Sequence, residues 1–335
     1  MNREYPTVNF IGNKEKIVDW LFDFVPDDVN IFFDGFSGGA SVSYEAKKRN
    51  LQVISNDALK INYLISKSLV ENKKYTLSNK DVERIFEGKP FSGYMHKNYS
   101  NYRFYPKECM ELDLYRANIE KLSNNYKKAM ALSLMRRSMI RKMPYSRFNI
   151  SWEKVKQLRD EDYSYKHYKR KRAYHNESFK KHFLDQIEEY NLSVFDNGKK
   201  NKAYNKDIFS LISKIDADLI YLDPPYPGTL NRYFDFYGIL DEYIDSKKQS
   251  PFPNSFTNKS EALVLFERLL KLCSKKKYMI LSTGNKSYPD VFTLQKLVGK
   301  YFKKVTIQEK EHVYKITGKK NKNINKEILI IGNNA

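Results

Sequence analysis

The sequence predicts an α/β fold, a Rossmann-like sheet interrupted by an inserted, mainly helical segment. Strand and helix patterns alternate over residues 1–75 and again over residues 200–335. Residues 76–199 lack this alternation and carry helical patterns, the clearest at 107–122 and 124–141. We therefore predict a discontinuous sheet domain, formed by residues 1–75 plus 200–335, and a second domain formed by residues 76–199.

The first element is a helical pattern that ends at residue 22 and follows the run Phe10-Ile11-Gly12-Asn13-Lys14. Asn13 is placed to cap this helix, which would put Lys14 in its first turn, where a cation opposes the helix dipole. Such a lysine either holds an anion or is simply exposed at the surface. These residues alone favour exposure.

The first strand, residues 29–33, leads into the glycine-rich run Asp34-Gly35-Phe36-Ser37-Gly38-Gly39-Ala40, after which a helix is predicted. Glycines at such a turn let backbone amides approach a ligand at a helix N-terminus. A second strand, residues 51–54, leads to Asp57, which lies 19 positions after Gly38. An acid at this spacing is typical of a carboxylate that holds ribose hydroxyls. A cap for the following helix explains Asp57 equally well.

Half of the net charge lies in residues 135–182, where 15 Lys and Arg face 5 acidic residues and many aromatic residues. Basic groups bind phosphates, and aromatic rings stack on bases. A charge run is often only a solvated surface, but this mixture favours nucleic-acid binding. The candidate contacts are Arg136, Arg137, Arg141, Lys142, Arg147, Lys169, Arg170 and Arg172.

The motif Asp223-Pro224-Pro225-Tyr226 follows an apolar run, residues 217–222, that predicts a short buried strand. Two prolines end the strand, because proline cannot continue a sheet ladder. A carboxylate and an aromatic ring are thereby placed at a strand's carboxyl end, where open α/β sheets bind ligands. A stiff turn without chemistry is the alternative for so short a motif.

Further elements complete the sheet domain. Residues 229–256 predict a covering loop and helix beside the motif. The remaining predicted elements are a short helix at 210–214, helices at 261–273 and 289–300, and extended segments at 278–281, 304–307, 310–316 and 327–331.

The formal charge of +20 favours a polyanionic partner, with nucleic acid first and an anionic membrane surface second. The sequence contains no run of about 18 apolar residues, no signal peptide, and no basic amphipathic helix or lipid-attachment motif, so no membrane association is expected. Two cysteines, Cys109 and Cys273, imply no disulfide framework and agree with a reducing cytoplasm. No Cys/His cluster has zinc spacing, so no metal is predicted.

Together these motifs resemble the Dam-like class of adenine-N6 DNA methyltransferases, which is common in restriction–modification systems. Residues 10–14 are similar to its N-terminal motif, residues 34–40 to its glycine-rich loop, and residues 223–226 to its catalytic tetrapeptide. Residues 326–330 also resemble the C-terminal segment of proteins of that class. One departure is Ala40, which stands where the loop usually has its last glycine and is expected to crowd the cofactor slightly.

The resemblance implies S-adenosyl-L-methionine as methyl donor and S-adenosyl-L-homocysteine as product, without a metal. Asp57 corresponds to the ribose carboxylate and Asp207 to the carboxylate near the cofactor adenine. The full set of implied cofactor residues is Phe10, Lys14, Asp34, Phe36, Gly38, Asp57, Asp207 and Asp223.

The implied catalytic residues are Asp223, Pro224 and Tyr226. Asp223 and the Pro224 carbonyl would accept the two hydrogens of the adenine amino group, and Tyr226 would stack on the flipped base. Residues 76–199 correspond in position to the target-recognition domain, and the implied partner is double-stranded DNA. The resemblance also allows an independently acting cognate restriction endonuclease, and it implies a cytoplasmic enzyme of prokaryotic or phage origin.

Three alternatives remain at this point. Methylation of cytosine N4 is one, although Asp223 favours adenine because the cytosine enzymes more often carry serine there. Methylation of adenine in RNA is the second. The third is a non-catalytic DNA-binding protein on the same scaffold, against which the intact Asp223, Tyr226, Gly38 and Asp57 argue.

Overall fold

The computed structural model describes residues 4–10, 12–144, 148–169, 175–227, 233–250, 256–311 and 325–335, and for residues 233–236 it describes the backbone alone. The strands are β1 (Ile31–Asp34), β2 (Gln52–Asn56), β3 (Lys202–Tyr204), β4 (Leu219–Leu222), β5 (Tyr278–Gly284), β6 (Lys304–Glu311) and β7 (Lys326–Asn333). The helices are α1 (Val18–Phe22), α2 (Ser41–Lys48), α3 (Lys60–Ser66), α4 (Asn79–Phe86), α5 (Tyr94–Tyr99), α6 (Pro106–Glu120), α7 (Asn125–Arg141), α8 (Trp152–Arg159), α9 (Glu161–Tyr168), α10 (Phe179–Leu192), α11 (Ile208–Leu211), α12 (Tyr233–Asp245), α13 (Lys259–Cys273) and α14 (Val291–Gly299).

The described strands form one seven-stranded sheet in the order β3-β2-β1-β4-β5-β7-β6. Strands β1 to β5 are parallel, and β7 inserts antiparallel between β5 and β6. Every residue of β4 and β5 is buried, as expected for central parallel strands covered on both faces. The predicted α/β, Rossmann-like architecture is therefore confirmed. The direction of strand succession reverses between β1 and β4, and such a switch point is where these sheets bind ligands.

The start of the first helix differs from the prediction. Helix α1 begins at Val18, and its N-cap residue is Ile17, which has no side-chain cap. The predicted cap, Asn13, instead donates a hydrogen bond from Nδ2 to Oε2 of Glu15 at 3.1 Å. The cap prediction was wrong because residues 14–17 form a turn before the helix.

The chain divides into two compact units. The helical unit comprises Met1–Asn9, Leu59–Asp196 and Tyr233–Pro251, and the sheet unit comprises Phe10–Ala58, Asn197–Arg232 and Phe252–Ala335. These bounds differ from the predicted domain ranges, since α3 and α12 belong to the helical unit. The reason is tertiary: Asp241 of α12 accepts hydrogen bonds from the amides of Lys60 and Ile61, at 2.8 Å each, and so caps α3.

Each unit has its own apolar core. In the sheet unit, helices α11, α13 and α14 cover one face of the sheet, and Leu269, Ile220 and Met279 lie in this core. In the helical unit, all residues from Ala129 to Ile140 of α7 are buried, as expected of a helix surrounded by other helices. In the described ranges, no helix has the length and apolar character needed to cross a membrane.

Candidate active site

Four aspartates follow the carboxyl ends of four neighbouring parallel strands. Asp207 follows β3, Asp57 follows β2, Asp34 ends β1, and Asp223 follows β4. Asp34 is in register with Tyr221, so Asp223 lies two residues further along the adjacent strand. The glycine-rich run and the Asp223 motif, far apart in sequence, therefore meet at the switch point of the sheet.

Asp223 is ion-paired with Lys14. The Nζ atom of Lys14 lies 2.9 Å from Oδ2 of Asp223 and 3.3 Å from Oε1 of Glu327. Lys14 is only 6% exposed, so the prediction of a surface lysine was wrong. Glu327 is buried as well, and it accepts a hydrogen bond from the hydroxyl of Ser282.

The electrostatics of this cluster act on the Asp223 carboxyl group. Burial and the negative charge of Glu327 together raise the pKa of Asp223 to about 6, against the opposing positive charge of Lys14. The group is therefore predominantly a carboxylate at neutral pH. A carboxylate only accepts hydrogen bonds, so it is suited to receive an N–H group of a substrate.

Glu327 was not among the predicted site residues. Its sequence signal is an acidic residue in β7 that directly precedes the apolar run Ile328-Leu329-Ile330-Ile331. A charge buried in such a strand needs a partner of opposite charge. The partner is Lys14, more than 300 residues earlier in the chain, and this pairing depends on the tertiary fold.

Asp34 offers an unpaired oxygen at the same sheet edge. It is 1% exposed, and its Oδ2 atom accepts a hydrogen bond from the Ser43 hydroxyl at 2.6 Å. Its Oδ1 atom is buried and has no hydrogen-bond partner among the described residues. Burial, with smaller contributions from the charges of Asp223 and Asp57, raises the pKa of Asp34 to about 7 against the opposing hydrogen bond from Ser43. A buried acceptor without a partner is unfavourable, so this atom is suited to a cationic ligand group.

The glycine-rich run is held by Asp57 and Phe10. The amide of Gly38 donates to Oδ2 of Asp57 at 2.9 Å. Gly38 has a φ of +49°, and a Cβ atom there would lie 2.8 Å from the Phe10 ring. Only glycine suits both requirements. Asp57 does not cap α3, whose N-cap is Leu59, so the capping explanation for Asp57 was wrong.

Ala40 directly precedes α2 and is fully buried with a φ of +66°. The left-handed conformation costs an L-residue roughly 1–2 kcal/mol. The family's usual glycine at this position is therefore explained by the left-handed backbone conformation, and not only by the space that a ligand needs.

The remaining predicted cofactor residues lie nearby in the sheet unit. Asp207 caps α11, because its Oδ1 atom accepts a hydrogen bond from the amide of Phe209 at 2.8 Å. Phe36 is half-buried and makes an edge-on contact with Phe256, with 5.5 Å between ring centroids. Phe256 in turn stacks on Phe209. Asp207 therefore has a structural role that the sequence did not reveal.

In the tetrapeptide Asp223-Pro224-Pro225-Tyr226, Pro224 is buried and Tyr226 is half-buried. The Tyr226 hydroxyl would lie 3.0 Å from a Cβ atom built on Gly284, at the end of β5. A larger residue at position 284 would therefore displace the tyrosine ring. Burial raises the pKa of Tyr226, so its hydroxyl stays protonated at neutral pH.

The structure corrects three of the predicted DNA contacts. Arg136 is 1% exposed and donates from Nη1 to the carbonyl of Val8 at 2.7 Å. Arg137 and Lys142 are also buried, and Lys142 pairs with Glu108 at 3.0 Å. These side chains point into the helical unit and are not available to phosphates in this conformation.

The other predicted contacts differ in position. Arg141 is half-buried, and Lys169 is exposed after the end of α9. Arg147, Arg170 and Arg172 lie outside the described residues.

The helical unit also contains a group of three possible metal ligands, Glu177, His182 and Asp185. The two acids are exposed, and Asp185 is already paired with Lys181. Exposed acidic groups of this kind are common without an ion, and we assign no metal to them.

Comparison with known proteins agrees with the geometry of this site. Residues 10–316 match the family of D12 class N6 adenine-specific DNA methyltransferases. The chain is 53% identical to the Type II methyltransferase M2.HphI of Haemophilus parahaemolyticus, over 99% of both proteins. It is 25% identical to the Type II methyltransferase M.CviAII of Paramecium bursaria Chlorella virus 1, over 84% of this chain and 83% of that protein. It is 28% identical to the Type II methyltransferase M.FokI of Planomicrobium okeanokoites, over 70% of this chain but 36% of that protein.

The family match covers most of the chain: it includes the N-terminal motif, the glycine-rich loop and the Asp223 motif, and it extends beyond β6. It confirms adenine-specific DNA methyltransfer over the three alternatives of cytosine N4 methylation, RNA methylation and a non-catalytic scaffold. The chain belongs to the D12 class of N6 adenine-specific DNA methyltransferases.

Proposed function

We propose that this protein is the modification enzyme of a restriction–modification system and transfers the methyl group of S-adenosyl-L-methionine to N6 of a flipped-out adenine in double-stranded DNA. The observation that carries the assignment of Asp223 as the catalytic residue is its position at the switch point, ion-paired with Lys14. The relatives carry the names of Type II methyltransferases. An independently acting cognate endonuclease in a prokaryotic cytoplasm, or in one infected by a phage, fits this role.

The residues around Asp34 fit the proposed cofactor. The unpartnered Oδ1 atom of Asp34 is suited to the ammonium group of the methionine part. Asp57 is proposed to hold the ribose, and Phe36 with Asp207 to border the adenine. Gly38 lets the Phe10 ring pack against the glycine-rich run, because a side chain at position 38 would collide with that ring. When bound, the cofactor supplies a methyl group on a sulfonium, whose departure as a neutral thioether requires no metal.

The catalytic work of the chain is to activate and orient the amino group. The lone pair of adenine N6 is delocalised into the ring, which makes this nitrogen a weak nucleophile. A hydrogen bond from N6 to the Asp223 carboxylate makes the nitrogen more electron-rich and gives the proton that N6 loses on methylation a path to that carboxylate. The carbonyl of Pro224 is proposed to accept the second hydrogen, in a direction that the two prolines fix. Holding the nitrogen in line with the methyl group is then mainly positional catalysis.

Flipping the adenine out of the duplex costs a few kcal/mol. Stacking on Tyr226 returns about 1–3 kcal/mol, and contacts to DNA phosphates supply the remainder. We propose that residues 76–199 read the target sequence, as their position in the chain implies. Arg141 and Lys169 are the described candidates for phosphate contacts.

The test is methyl transfer from labelled S-adenosyl-L-methionine to mixed genomic DNA, followed by nucleoside analysis and mapping. We expect the label in N6-methyladenine at one short sequence, which then resists a nuclease of that specificity. Label scattered over unrelated adenines would overturn the restriction–modification role, and label in N4-methylcytosine or only in RNA would overturn the substrate. An Asp223→Ala variant in parallel tests the catalytic residue.

A further inference from the structure

Glu327 is a second carboxylate behind the Lys14–Asp223 ion pair. The Lys14 Nζ atom lies 2.9 Å from Asp223 and 3.3 Å from Glu327, so one ammonium group is shared by two acids. The two acids differ in access, because the Asp223 side chain is 20% exposed and that of Glu327 is 1% exposed. Asp223 is therefore the acid that a substrate can reach, and Glu327 acts on it through the shared Lys14 ammonium and through its own negative charge.

We propose that Glu327 is a positioning residue for methyl transfer, which retains the Lys14 ammonium when the adenine amino group competes with Lys14 for the charge of Asp223. This inference rests on the proposed catalytic role of Asp223. It assigns a task to a residue that touches neither the base nor the cofactor.

A hydrogen bond from the base to Asp223 draws on the same carboxylate charge that holds Lys14 at Oδ2, so the Lys14–Asp223 ion pair weakens as the base binds. With Asp223 as its only anionic partner, the buried ammonium would then be left partly uncompensated, which is unfavourable. Glu327 already lies within ion-pair distance of Lys14, so only a small shift of the ammonium group is needed.

Glu327 is itself held in place. The Ser282 hydroxyl, on β5, donates a hydrogen bond to its Oε1 atom. Strands β5 and β7 pair antiparallel, with Ser282 opposite Leu329 and Thr283 opposite Ile328. The Glu327 carboxylate is therefore held between the paired strands β5 and β7, whereas Asp223 lies in the segment after β4.

The charges also predict two opposite pH effects. Glu327 raises the pKa of Asp223 and Lys14 lowers it more strongly. Removing the charge of Glu327 alone therefore lowers the pKa of Asp223. Removing the charges of both Lys14 and Glu327 leaves burial as the main influence, so the pKa of Asp223 rises. The other ionisable groups that interact with this cluster, Tyr221, Tyr226 and Asp34, are unchanged in both cases.

The experiment is the pH dependence of kcat/KM for DNA, which reports the ionisation of the free enzyme, at saturating S-adenosyl-L-methionine. Glu327→Gln should move the acid limb to lower pH and reduce kcat by about 10- to 100-fold, with DNA affinity nearly unchanged. The double variant Lys14→Gln/Glu327→Gln should move the acid limb to higher pH. Glu327→Asp, which keeps the charge, should restore part of the wild-type profile.

The matched control is Glu309→Gln, which changes an exposed acid on the adjacent strand β6 and should leave the profile unchanged. An unshifted limb in Glu327→Gln, or shifts in the same direction for the single and double variants, would overturn the inference. If Glu327→Gln does not fold, the double variant is the second measurement: Asp223 then lacks its cationic partner, and an acid limb that fails to move to higher pH would overturn the inference. Retained turnover in Asp223→Ala would instead contradict the catalytic role of Asp223. Failure of the proposed function can thereby be distinguished from failure of the Glu327 inference.

Discussion

Lys14 and Asp223, more than 200 residues apart in sequence, form a buried ion pair of 2.9 Å at the switch point of the sheet. The pair joins the N-terminal motif to the Asp223–Tyr226 tetrapeptide within the sheet unit. It holds the carboxylate in its charged form and in one orientation, and its strength sets the pH range in which Asp223 can accept a hydrogen bond.

The first prediction concerns this pH range. Because the pKa of Asp223 is raised to about 6 and the carboxylate is the active form, kcat/KM for DNA should fall as the pH decreases through about 6. Asp223→Ala should reduce turnover by at least about 100-fold while DNA binding, measured by fluorescence anisotropy, stays close to that of the wild type. A rate that is independent of pH between about 5 and 8 would contradict the assignment.

How far this site was predictable depends on how local its signals are. Asp34, Asp57 and Asp223 were predicted to lie at one edge because each follows a strand pattern, whereas Asp207 was predicted from the family resemblance, and the structure places all four after neighbouring parallel strands. The burial of Lys14 and its pairing with Glu327 were not found, since they require the antiparallel insertion of β7 beside β5. That insertion is not visible in a local pattern.

In the basic segment, residues 135–182, the sequence did not predict which charged side chains are exposed. Its charges predict a surface, yet Arg136 and Lys142 are buried and satisfied by Val8 and Glu108. A buried arginine with good partners has the same sequence signature as one that binds phosphate. Composition therefore predicts a nucleic-acid ligand for this segment but does not identify the side chains that would face it.

The second prediction concerns Tyr226. If its ring stacks on the flipped adenine, Tyr226→Phe keeps the stacking and Tyr226→Ala loses about 1–3 kcal/mol of it. Single-turnover methylation should therefore be reduced by about 5- to 150-fold in the alanine variant and only slightly in the phenylalanine variant. Equal losses in the two variants would mean that the hydroxyl, not the ring, carries the role.

The third prediction concerns Asp34 and the cofactor. The pKa of Asp34 is raised to about 7, so its carboxylate form, which would bind the methionine ammonium, increases as the pH rises through that value. Affinity for S-adenosyl-L-methionine, measured by calorimetry, should accordingly be higher at about pH 8 than at about pH 6. Asp34→Asn should bind more weakly and lose this dependence, whereas Asp19→Asn, at an exposed acid of α1, should behave as the wild type. An unchanged pH dependence in Asp34→Asn would contradict the role.

The fourth prediction concerns Ala40. Because its φ is +66°, Ala40→Gly should relieve a left-handed alanine and raise the free energy of unfolding by about 1 kcal/mol. Ala46, within the regular helix α2, offers the matched control, and Ala46→Gly should lower stability by about 1 kcal/mol or more. Urea unfolding of the two variants gives both values. Two shifts of the same sign would show that backbone strain does not act at position 40.

The last prediction separates DNA contacts from structural cations in the helical unit. Lys169 is exposed, so Lys169→Ala should weaken DNA binding uniformly over sequences and reduce the slope of log K against log salt by about 0.9 if one phosphate contact is lost. Arg136 is buried against Val8 and Asn9, so Arg136→Ala should lower the unfolding temperature and leave the salt slope of the remaining folded protein unchanged. Titrating both variants with DNA at several salt concentrations, together with thermal unfolding, distinguishes the two roles. A reduced salt slope in Arg136→Ala would mean that α7 rearranges to present this side chain to DNA, because the conformation described here keeps it from a phosphate.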